Sequence, residues 1–189
     1  SLYALQVEEG TPLARQVAEG LALPGDDEAA DEYAWAQDFL ARQGYEQYEV
    51  SNFSRPGRPC RHNWNIWRGM DYWGFGVSAV GTGKGIRNSN GKELAEYIRQ
   101  AGNGEGVALQ KEIRPEPVRA WEKVMLGLRT REGVEETAIE PYLRGPAAAQ
   151  GGRFGRLLKE GFLLLSNGRY QVSPKGYFVL NGILGTLAA

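Results

Sequence analysis

Metal-ligating and disulfide-forming residues are scarce in this sequence of 189 residues, which has one cysteine, Cys60, and one histidine, His62. A disulfide framework, a zinc site of several thiolates and an iron–sulfur cluster each need more cysteines than that. No run of about 18 apolar residues occurs, so no helix that spans a bilayer is predicted. The hydrophobic fraction of 42% and the charged fraction of 24% are ordinary for a globular chain and exclude general disorder.

The amino terminus lacks an initiator methionine and the signals of secretion. Ser1 leads directly into the apolar run 2–7, without a basic segment, a long apolar stretch or a small-residue cleavage site. We therefore expect a cytoplasmic protein, and we expect the chain to be the later part of a longer one. Its length predicts one domain or two small ones.

Charge is unevenly distributed, although the net charge is −1. Residues 1–49 carry two basic and eleven acidic residues, whereas residues 50–114 have a net charge of +5 and residues 115–189 of +3. The basic excess of the middle segment is concentrated in four arginines, Arg55, Arg58, Arg61 and Arg68. Such a patch attracts carboxylates or phosphates.

Strand-like and helix-like segments alternate in the first half. Residue types predict strands over 2–7, 45–50 and 72–80, and helices over 11–20, 26–43 and 90–101. Thr11 and Pro12 provide an N-cap and a first-turn proline, and Asp26 is expected to cap the second helix. The alternation indicates parallel βαβ units.

The pattern changes after residue 114 to helices followed by a hairpin. Helical spacing extends over 116–129 and 148–160, and strand-like runs over 162–166 and 169–172. Asn167-Gly168 separates the two runs, which is a strong hairpin signal. Ser173-Pro174 starts a last helix. This order predicts a small winged-helix-like domain, so we place one domain over residues 1–107 and a second over residues 108–189.

The segment 60–68 carries the densest set of chemically useful residues. His62 is the only imidazole, and Trp64, Trp67 and Trp73 lie near it in sequence. Haem, an anionic planar macrocycle, needs an axial ligand, flat aromatic surface and cations for its propionates. The segment supplies all three, which is compatible with a haem site. The alternative interpretation is that His62 makes a hydrogen bond within a loop and that the tryptophans belong to a hydrophobic core. Cys60 is not expected to act with His62, because residues i and i+2 rarely face each other.

Glycine is abundant, with 26 residues, about twice the usual fraction of roughly 7%. Residues 74–79 fit the pattern G-x-G-x-x-A of dinucleotide-binding loops, but no long helix follows them. Glycines at the end of a strand let a ligand approach the backbone closely. We therefore predict a backbone-lined edge of a small-molecule site here, with a structural glycine-rich turn as the alternative.

Basic residues of the second domain give a rival hypothesis, a winged-helix binder of nucleic acid. Arg153, Arg156, Lys159 and Arg169 would face phosphates if the hairpin served as a wing. A net charge of +3 over this region is a small electrostatic footprint for such a binder. Nucleic acid is therefore not our expected partner.

Short motifs occur along nearly the whole chain in the order in which one protein family has them. They are SLYAL (1–5), EEGTP (8–12), GY (44–45), YEVSNF (48–53), HN (62–63), GFG with SA (74–79), Arg87 with Asn90, LGLR (126–129), GV (133–134), EGF (160–162) and SPKG (173–176). Together they resemble the second half of a radical S-adenosylmethionine (SAM) protein of the oxygen-independent coproporphyrinogen III oxidase-like family, in its haem-chaperone branch.

The resemblance implies an α/β fold in two parts. Residues 1–107 would form the C-terminal part, about half, of a TIM-like radical SAM barrel that carries a haem-motif loop. Residues 108–189 would form the family's C-terminal helical, winged domain. The wall of the SAM site on this side would include five residues, Ala4, Gly74, Gly76, Ala79 and Val80.

The resemblance also implies a haem site. In the chaperone branch a His-Asn-x-x-Tyr-Trp motif is associated with haem, and here it is matched by His62, Asn63 and Trp67, with Ile66 at the tyrosine position. His62 would bind the haem iron, with Asn63 and Trp67 beside the macrocycle. Two further residues, Arg61 and Arg68, would pair with the propionates.

The family's cluster motif, C-x-x-x-C-x-x-C, is absent from this sequence. The chain alone is therefore not expected to cleave SAM, and SAM and the 4Fe–4S cluster are expected only in the complete parent protein. That parent would bind haem and pass it to haem-accepting proteins. The alternative is oxidative decarboxylation of coproporphyrinogen III in porphyrin biosynthesis. The open strand edges of half a barrel would favour association, so a homodimer is a further expectation.

Overall fold

The computed structural model describes residues 1–104, 108–143 and 151–188. The helices in these ranges are α1 (Pro12–Ala18), α2 (Asp26–Arg42), α3 (Arg61–Trp67), α4 (Leu94–Gly102), α5 (Glu116–Gly127), α6 (Glu136–Leu143), α7 (Gly151–Lys159), α8 (Pro174–Tyr177) and α9 (Leu180–Ala188). The strands are β1 (Glu46–Gln47), β2 (Phe53–Ser54), β3 (Val80–Gly83), β4 (Ile86–Asn90), β5 (Ala108–Ile113), β6 (Val134–Glu135), β7 (Leu163–Ser166) and β8 (Arg169–Val172). None of the described helices is long and apolar enough to cross a membrane.

The described strands form three small antiparallel sheets, in the orders β1-β2, β3-β4-β5 and β6-β8-β7. The prediction of parallel βαβ units is therefore wrong for the described residues. Residues 2–7 form no strand there, and within the described chain their only backbone hydrogen bond joins Leu2 N to Ser51 O at 2.9 Å. Apolar residue types favour a strand, but a strand forms only where a neighbour supplies the ladder hydrogen bonds.

The other two strand predictions of the first half are too long. Of residues 45–50 only Glu46–Gln47 is a strand, and of residues 72–80 only Val80 belongs to one, apart from an isolated bridge between Tyr72 and Thr82. Glycines at positions 74 and 76 interrupt the second run, which explains why the chain turns before β3 begins.

The start of α1 follows local rules, whereas the helix predicted over 90–101 begins only at Leu94, because residue 90 is the last residue of β4. The Thr11 hydroxyl accepts a hydrogen bond from Ala14 N at 3.2 Å, and Pro12 occupies the first turn of α1, as predicted. The prediction that Asp26 caps α2 is wrong: the cap is Gly25, and Asp26 is the first residue of a first turn rich in acid. Carboxylates there favour the helix dipole, so Asp26 still stabilises this end.

The second half contains the principal core. Its buried members are Val124, Leu128, Val134, Ile139, Leu163, Tyr170, Val172, Leu180, Ile183, Leu184 and Leu187. They lie on helices α5, α6 and α9, at Leu128 directly after α5, and on the strands of the sheet β6-β8-β7. Each of these elements packs one apolar face into the same core. The hairpin prediction is confirmed, with Asn167 and Gly168 at φ values of 51° and 69° in the two-residue turn.

The helices predicted over 116–129 and 148–160 are confirmed with small changes of bounds, whereas the single last helix predicted from Ser173-Pro174 is two helices, α8 and α9. Residues 116–129 give α5, and residues 148–160 give α7 from Gly151 onward, while 148–150 lie outside the described residues. Ser173 caps α8, because its hydroxyl accepts from Gly176 N at 3.2 Å. The proposed domain boundary also falls beside residues 105–107, which the structure does not describe.

A backbone seam joins the two halves of the chain. Val50 N donates to Arg129 O at 2.8 Å, and Arg131 N donates to Tyr48 O at 3.1 Å, on either side of an isolated bridge between Glu49 and Thr130. The segment 48–53, which carries a family-like motif, is therefore held against the end of α5 rather than standing apart from the second half.

Candidate functional site

The segment that carries His62 is a helix, α3, and not a loop as expected. Cys60 is its N-cap residue, and the chain leaves the helix at Arg68. His62 lies in the first turn with an exposed side chain, next to the exposed side chains of Cys60 and Arg61. The imidazole is thus accessible from solvent beside a cation.

Helical geometry separates the residues of the haem-like motif. At about 100° per residue, His62 shares a face with Ile66, whereas Asn63 shares another with Trp67. Asn63, Ile66 and Trp67 are partly buried. The structure therefore places the imidazole and the Trp67 indole on one short helix but on different sides of it.

Trp64 contacts two side chains of the first half, those of Tyr48 and Arg68. The Trp64 ring centroid lies 5.4 Å from that of Tyr48, and the guanidinium carbon of Arg68 lies over the Trp64 ring, 5.3 Å from its centroid. Arg68 also forms a bidentate salt bridge with Glu132, in which Nη2 donates to Oε1 at 2.7 Å and Nε donates to Oε2 at 3.3 Å. Arg68, predicted to bind a propionate, is thus engaged within the chain, while its side chain remains about half exposed (51%).

The glycine segment forms a braced loop ahead of β3. A Cβ on Gly74 would lie 2.4 Å from Val80 O, so only glycine allows this approach, and Gly76 has a φ of +99°. Asn90 Nδ2 donates to Gly76 O at 2.8 Å and to Gly74 O at 3.4 Å, and Gly76 N donates to the Tyr97 hydroxyl at 3.0 Å. Three of the predicted SAM-side residues, Gly74, Gly76 and Ala79, therefore lie in one loop, and a fourth, Val80, begins β3 directly after it.

The braced loop displays two aromatic rings. Trp73 and Phe75 are each 85% exposed, whereas Trp64 is partly buried. Ala4, the fifth predicted SAM-side residue, lies elsewhere, along an apolar cleft of about 840 Å³ that Tyr33 and Trp35 also line. The structure thus brings four of the five residues together and does not place Ala4 in that loop.

The structure contains a buried carboxylate, that of Glu49, which was not predicted from the sequence. Glu49 is fully buried; its Oε2 accepts from Ser51 N at 3.3 Å, and its Oε1 has no partner within the described residues. Burial raises the pKa of Glu49 above the ordinary value of 4.5. The hydroxyl of Tyr177 is also buried and has no hydrogen-bond partner in the described part of the chain. Burial, followed by the charge of Glu49, raises the pKa of Tyr177. The sequence signal that could have indicated the burial of Glu49 is the position of an acidic residue between Tyr48 and Val50, in a strand-like run.

Glu49→Gln is expected to stabilise the protein at neutral pH. Because the pKa of Glu49 is raised in the folded state, ionisation favours unfolding, and stability falls as the pH rises from the unfolded value through the folded one. The amide reproduces the neutral acid. Urea unfolding at pH 4 and at pH 8 should therefore show a variant whose advantage over the wild type appears only at pH 8.

The control for this prediction is Glu9→Gln, which removes an exposed carboxylate from the same acidic segment. It is expected to leave the pH dependence of unfolding unchanged. A Glu49→Gln protein that is less stable than the wild type at pH 8 would contradict the assignment of a destabilising buried charge.

The hairpin arginine is occupied by local contacts. Arg169 donates to Glu132 O at 2.9 Å and to Gly133 O at 3.0 Å, and it pairs with Glu135 at 3.2 Å. These bonds hold the guanidinium against β6, which weakens the nucleic-acid hypothesis. Arg156 and Lys159 are exposed on α7, and the side chain of Arg153 is outside the described residues.

Comparisons with known proteins come from sequence and from structure. No protein-family model matches the chain. The haem chaperone HemW of Lactococcus lactis is 30% identical over 97% of this chain and 48% of its own length, and HemW of Mycobacterium tuberculosis is 34% identical over 99% and 46%. The mitochondrial radical S-adenosyl methionine domain-containing protein 1 of Danio rerio is 33% identical over 99% and 45%.

A solved structure shares the fold. The Escherichia coli coproporphyrinogen III oxidase HemN, a radical SAM enzyme, aligns with a TM-score of 0.66 and 19% identity over 87% of this chain and 42% of that one. The chain spans about half the length of the curated relatives it matches. It therefore belongs to the HemW-like radical SAM family, of whose members it matches the C-terminal half.

Proposed function

We propose that this chain is the C-terminal portion of a HemW-like radical SAM protein that binds haem and delivers it to acceptor proteins in the cytoplasm. The observation that carries the proposal is the only imidazole of the chain, exposed on α3, in a sequence matched over nearly its whole length by haem chaperones. Residues 1–107 would be the C-terminal part, about half, of a radical SAM barrel, and residues 108–189 a helical, winged domain. A homodimer is a further expectation.

The residues around His62 suit haem as a cargo. The exposed imidazole supplies a nitrogen ligand for iron, and Ile66, one turn along the same face, offers apolar contact. Arg61 is exposed and available for a propionate. Arg68 would join it by exchanging Glu132 for a propionate, and since exposed pairs of this kind contribute little stability, the exchange costs little.

The SAM and cluster sites would be shared with the rest of the parent protein. One cysteine does not suffice for a cluster, and no described group of three His, Cys, Asp or Glu residues is placed to hold a metal. In the complete protein the cluster ligands would therefore come from outside this chain. The loop of Gly74 and Gly76 supplies close backbone approach, which suits the SAM-side role proposed for it with Ala79, Val80 and Ala4.

Haem titration of the chain and of His62→Ala tests the cargo role. The wild type is expected to give a saturable Soret band, and the variant to bind at least about tenfold more weakly, because an axial iron bond is lost. Added imidazole should restore part of the Soret band in the variant. Asn65→Ala, an exposed substitution on the same helix, is the matched control and should leave the titration unchanged. Equal Soret responses of wild type and His62→Ala would refute the ligand assignment.

The second candidate is oxidative decarboxylation of coproporphyrinogen III, favoured by the fold shared with HemN. Here the arginines near α3 would hold substrate carboxylates. Anaerobic incubation of the complete parent with SAM, a reductant and coproporphyrinogen III decides between the two. Formation of protoporphyrinogen would establish the oxidase, and its absence together with haem binding would support the chaperone.

A further inference from the structure

A second cavity, of about 310 Å³, lies between the β3–β4 turn and α5. Four of its lining residues are cationic, Lys84, Arg114, Arg119 and Lys123. Gly85 closes one side, where Arg119 Nη1 would lie 3.4 Å from a Cβ on that glycine. The amino-terminal end of α5, a helix of 12 residues, adds its positive dipole potential to the charge of these side chains.

One of the three acidic residues of the cavity is saturated by arginines. Glu122 accepts from Arg87 at 2.5 Å through one oxygen and from Arg114 at 2.7 Å through the other. Arg114 and Glu122 are largely buried, with 12% and 14% of their side chains exposed. Two guanidinium groups thus share this carboxylate, and Arg87 pairs with Glu112 at 3.0 Å as well, so Glu122 has no oxygen left for a further cation.

The other two carboxylates also have donors. Glu116 pairs with Arg119 at 2.5 Å, and Asp71 Oδ2 accepts from the backbone N of Lys84 at 3.0 Å. The Lys84 and Lys123 ammonium groups are in no ion pair within the described residues. The acceptors of the cavity are therefore in use, whereas two of its cations are not.

Two donors within the arginines are unused as well. The Nε atoms of Arg114 and Arg119 are buried and have no hydrogen-bond partner in the described part of the chain. A buried donor without an acceptor is destabilising, and charged donors most of all. We infer that this cavity binds a small oxyanion, a carboxylate or phosphate group, to which Arg114, Arg119, Lys84 and Lys123 donate. The inference goes beyond haem binding and does not depend on it.

Binding of inorganic phosphate and of propionate, measured separately by isothermal titration calorimetry, tests this site. The wild type is expected to bind at least one of them with a stoichiometry of one, and more weakly as ionic strength rises. Stronger binding of phosphate would identify a phosphate ester as the natural ligand class, and stronger binding of propionate a carboxylate.

The test variant is Lys84→Gln with Lys123→Gln, which leaves the buried arginine network intact. It is expected to bind the anion about tenfold more weakly, because two charged donors are lost. Lys92→Gln with Lys111→Gln removes the same charge from exposed positions outside the cavity and should bind as the wild type does. Absence of saturable binding to the wild type, or equal weakening in both double variants, would overturn the proposal. The Soret titration is read separately, since His62 is unchanged.

Discussion

Gly133→Ala is expected to lower the free energy of unfolding by about 4 kcal/mol, because the methyl group meets backbone that has no room to move. Gly133 has a φ of +64°, and its Cβ would lie 2.0 Å from the carbonyl oxygen of Tyr170. Tyr170 is the strand residue with which Val134 is paired, so relief of the clash would separate β6 from β8. The loss of that pairing would expose Val134 and Tyr170, both core residues.

Gly168→Ala separates the two parts of this effect. Gly168 has nearly the same backbone conformation, with a φ of +69°, but its Cβ would meet nothing within 4 Å. It therefore carries only the left-handed strain, about 1–2 kcal/mol. Urea unfolding followed by far-ultraviolet circular dichroism measures both variants. Equal losses of stability in Gly133→Ala and Gly168→Ala would contradict this prediction, because they would mean that β6 moves away from the methyl group with no further loss of free energy.

Local rules explain why the second half was predicted well. The Asn167-Gly168 turn, the Ser173 cap and the spacing of apolar residues in α5 each depend on a few neighbouring residues. Turn type, N-cap and amphipathic period are properties of such short windows. The core then forms where these elements bring their apolar faces together, so sequence pattern and tertiary packing agree there.

Non-local pairing explains why the strands of the first half were predicted poorly, although the helices over 11–20 and 26–43 were predicted closely. Residues 2–7 have the composition of a strand, yet Tyr3 and Leu5 are 69% and 66% exposed and no ladder partner lies beside them in the described chain. β3 instead pairs with β4 across a tight turn at Lys84 and Gly85, both of which have positive φ. Composition indicates that a segment is compatible with a strand, whereas the partner decides whether it forms.

The candidate site was predicted in part. The importance of segment 60–68 followed from its residue types, and the resemblance supplied the role of His62. The sequence did not indicate that Trp64 packs on Tyr48 or that Arg68 pairs with Glu132, because both contacts join residues far apart in the chain. The same reason hid the bracing of the glycine loop by Asn90 and the burial of Glu49.

Glu122→Gln is expected to lower the free energy of unfolding by about 3 kcal/mol, since it leaves buried guanidinium charge without a counter-ion. Glu122 lies on α5 and binds Arg87 of β4 and Arg114, the residue after β5. The ion network therefore ties the β3-β4-β5 sheet to the second half of the chain. The exposed pair of Arg68 and Glu132 supplies the matched control: Glu132→Gln should lower stability by about 0.5 kcal/mol or less.

A double substitution distinguishes the effect of the unneutralised buried charge from the effect of the lost hydrogen bonds of Glu122. In Glu122→Met combined with Arg114→Met, the most buried charges are removed together, and stability is expected to recover most of the loss seen in Glu122→Gln. Arg87 tolerates this change, because its side chain is 35% exposed and still pairs with Glu112 at 3.0 Å. If the double variant is instead less stable than Glu122→Gln, the hydrogen bonds themselves hold the sheet to α5. In that case the two halves are joined by directed polar contacts and not merely by the need to neutralise a buried charge.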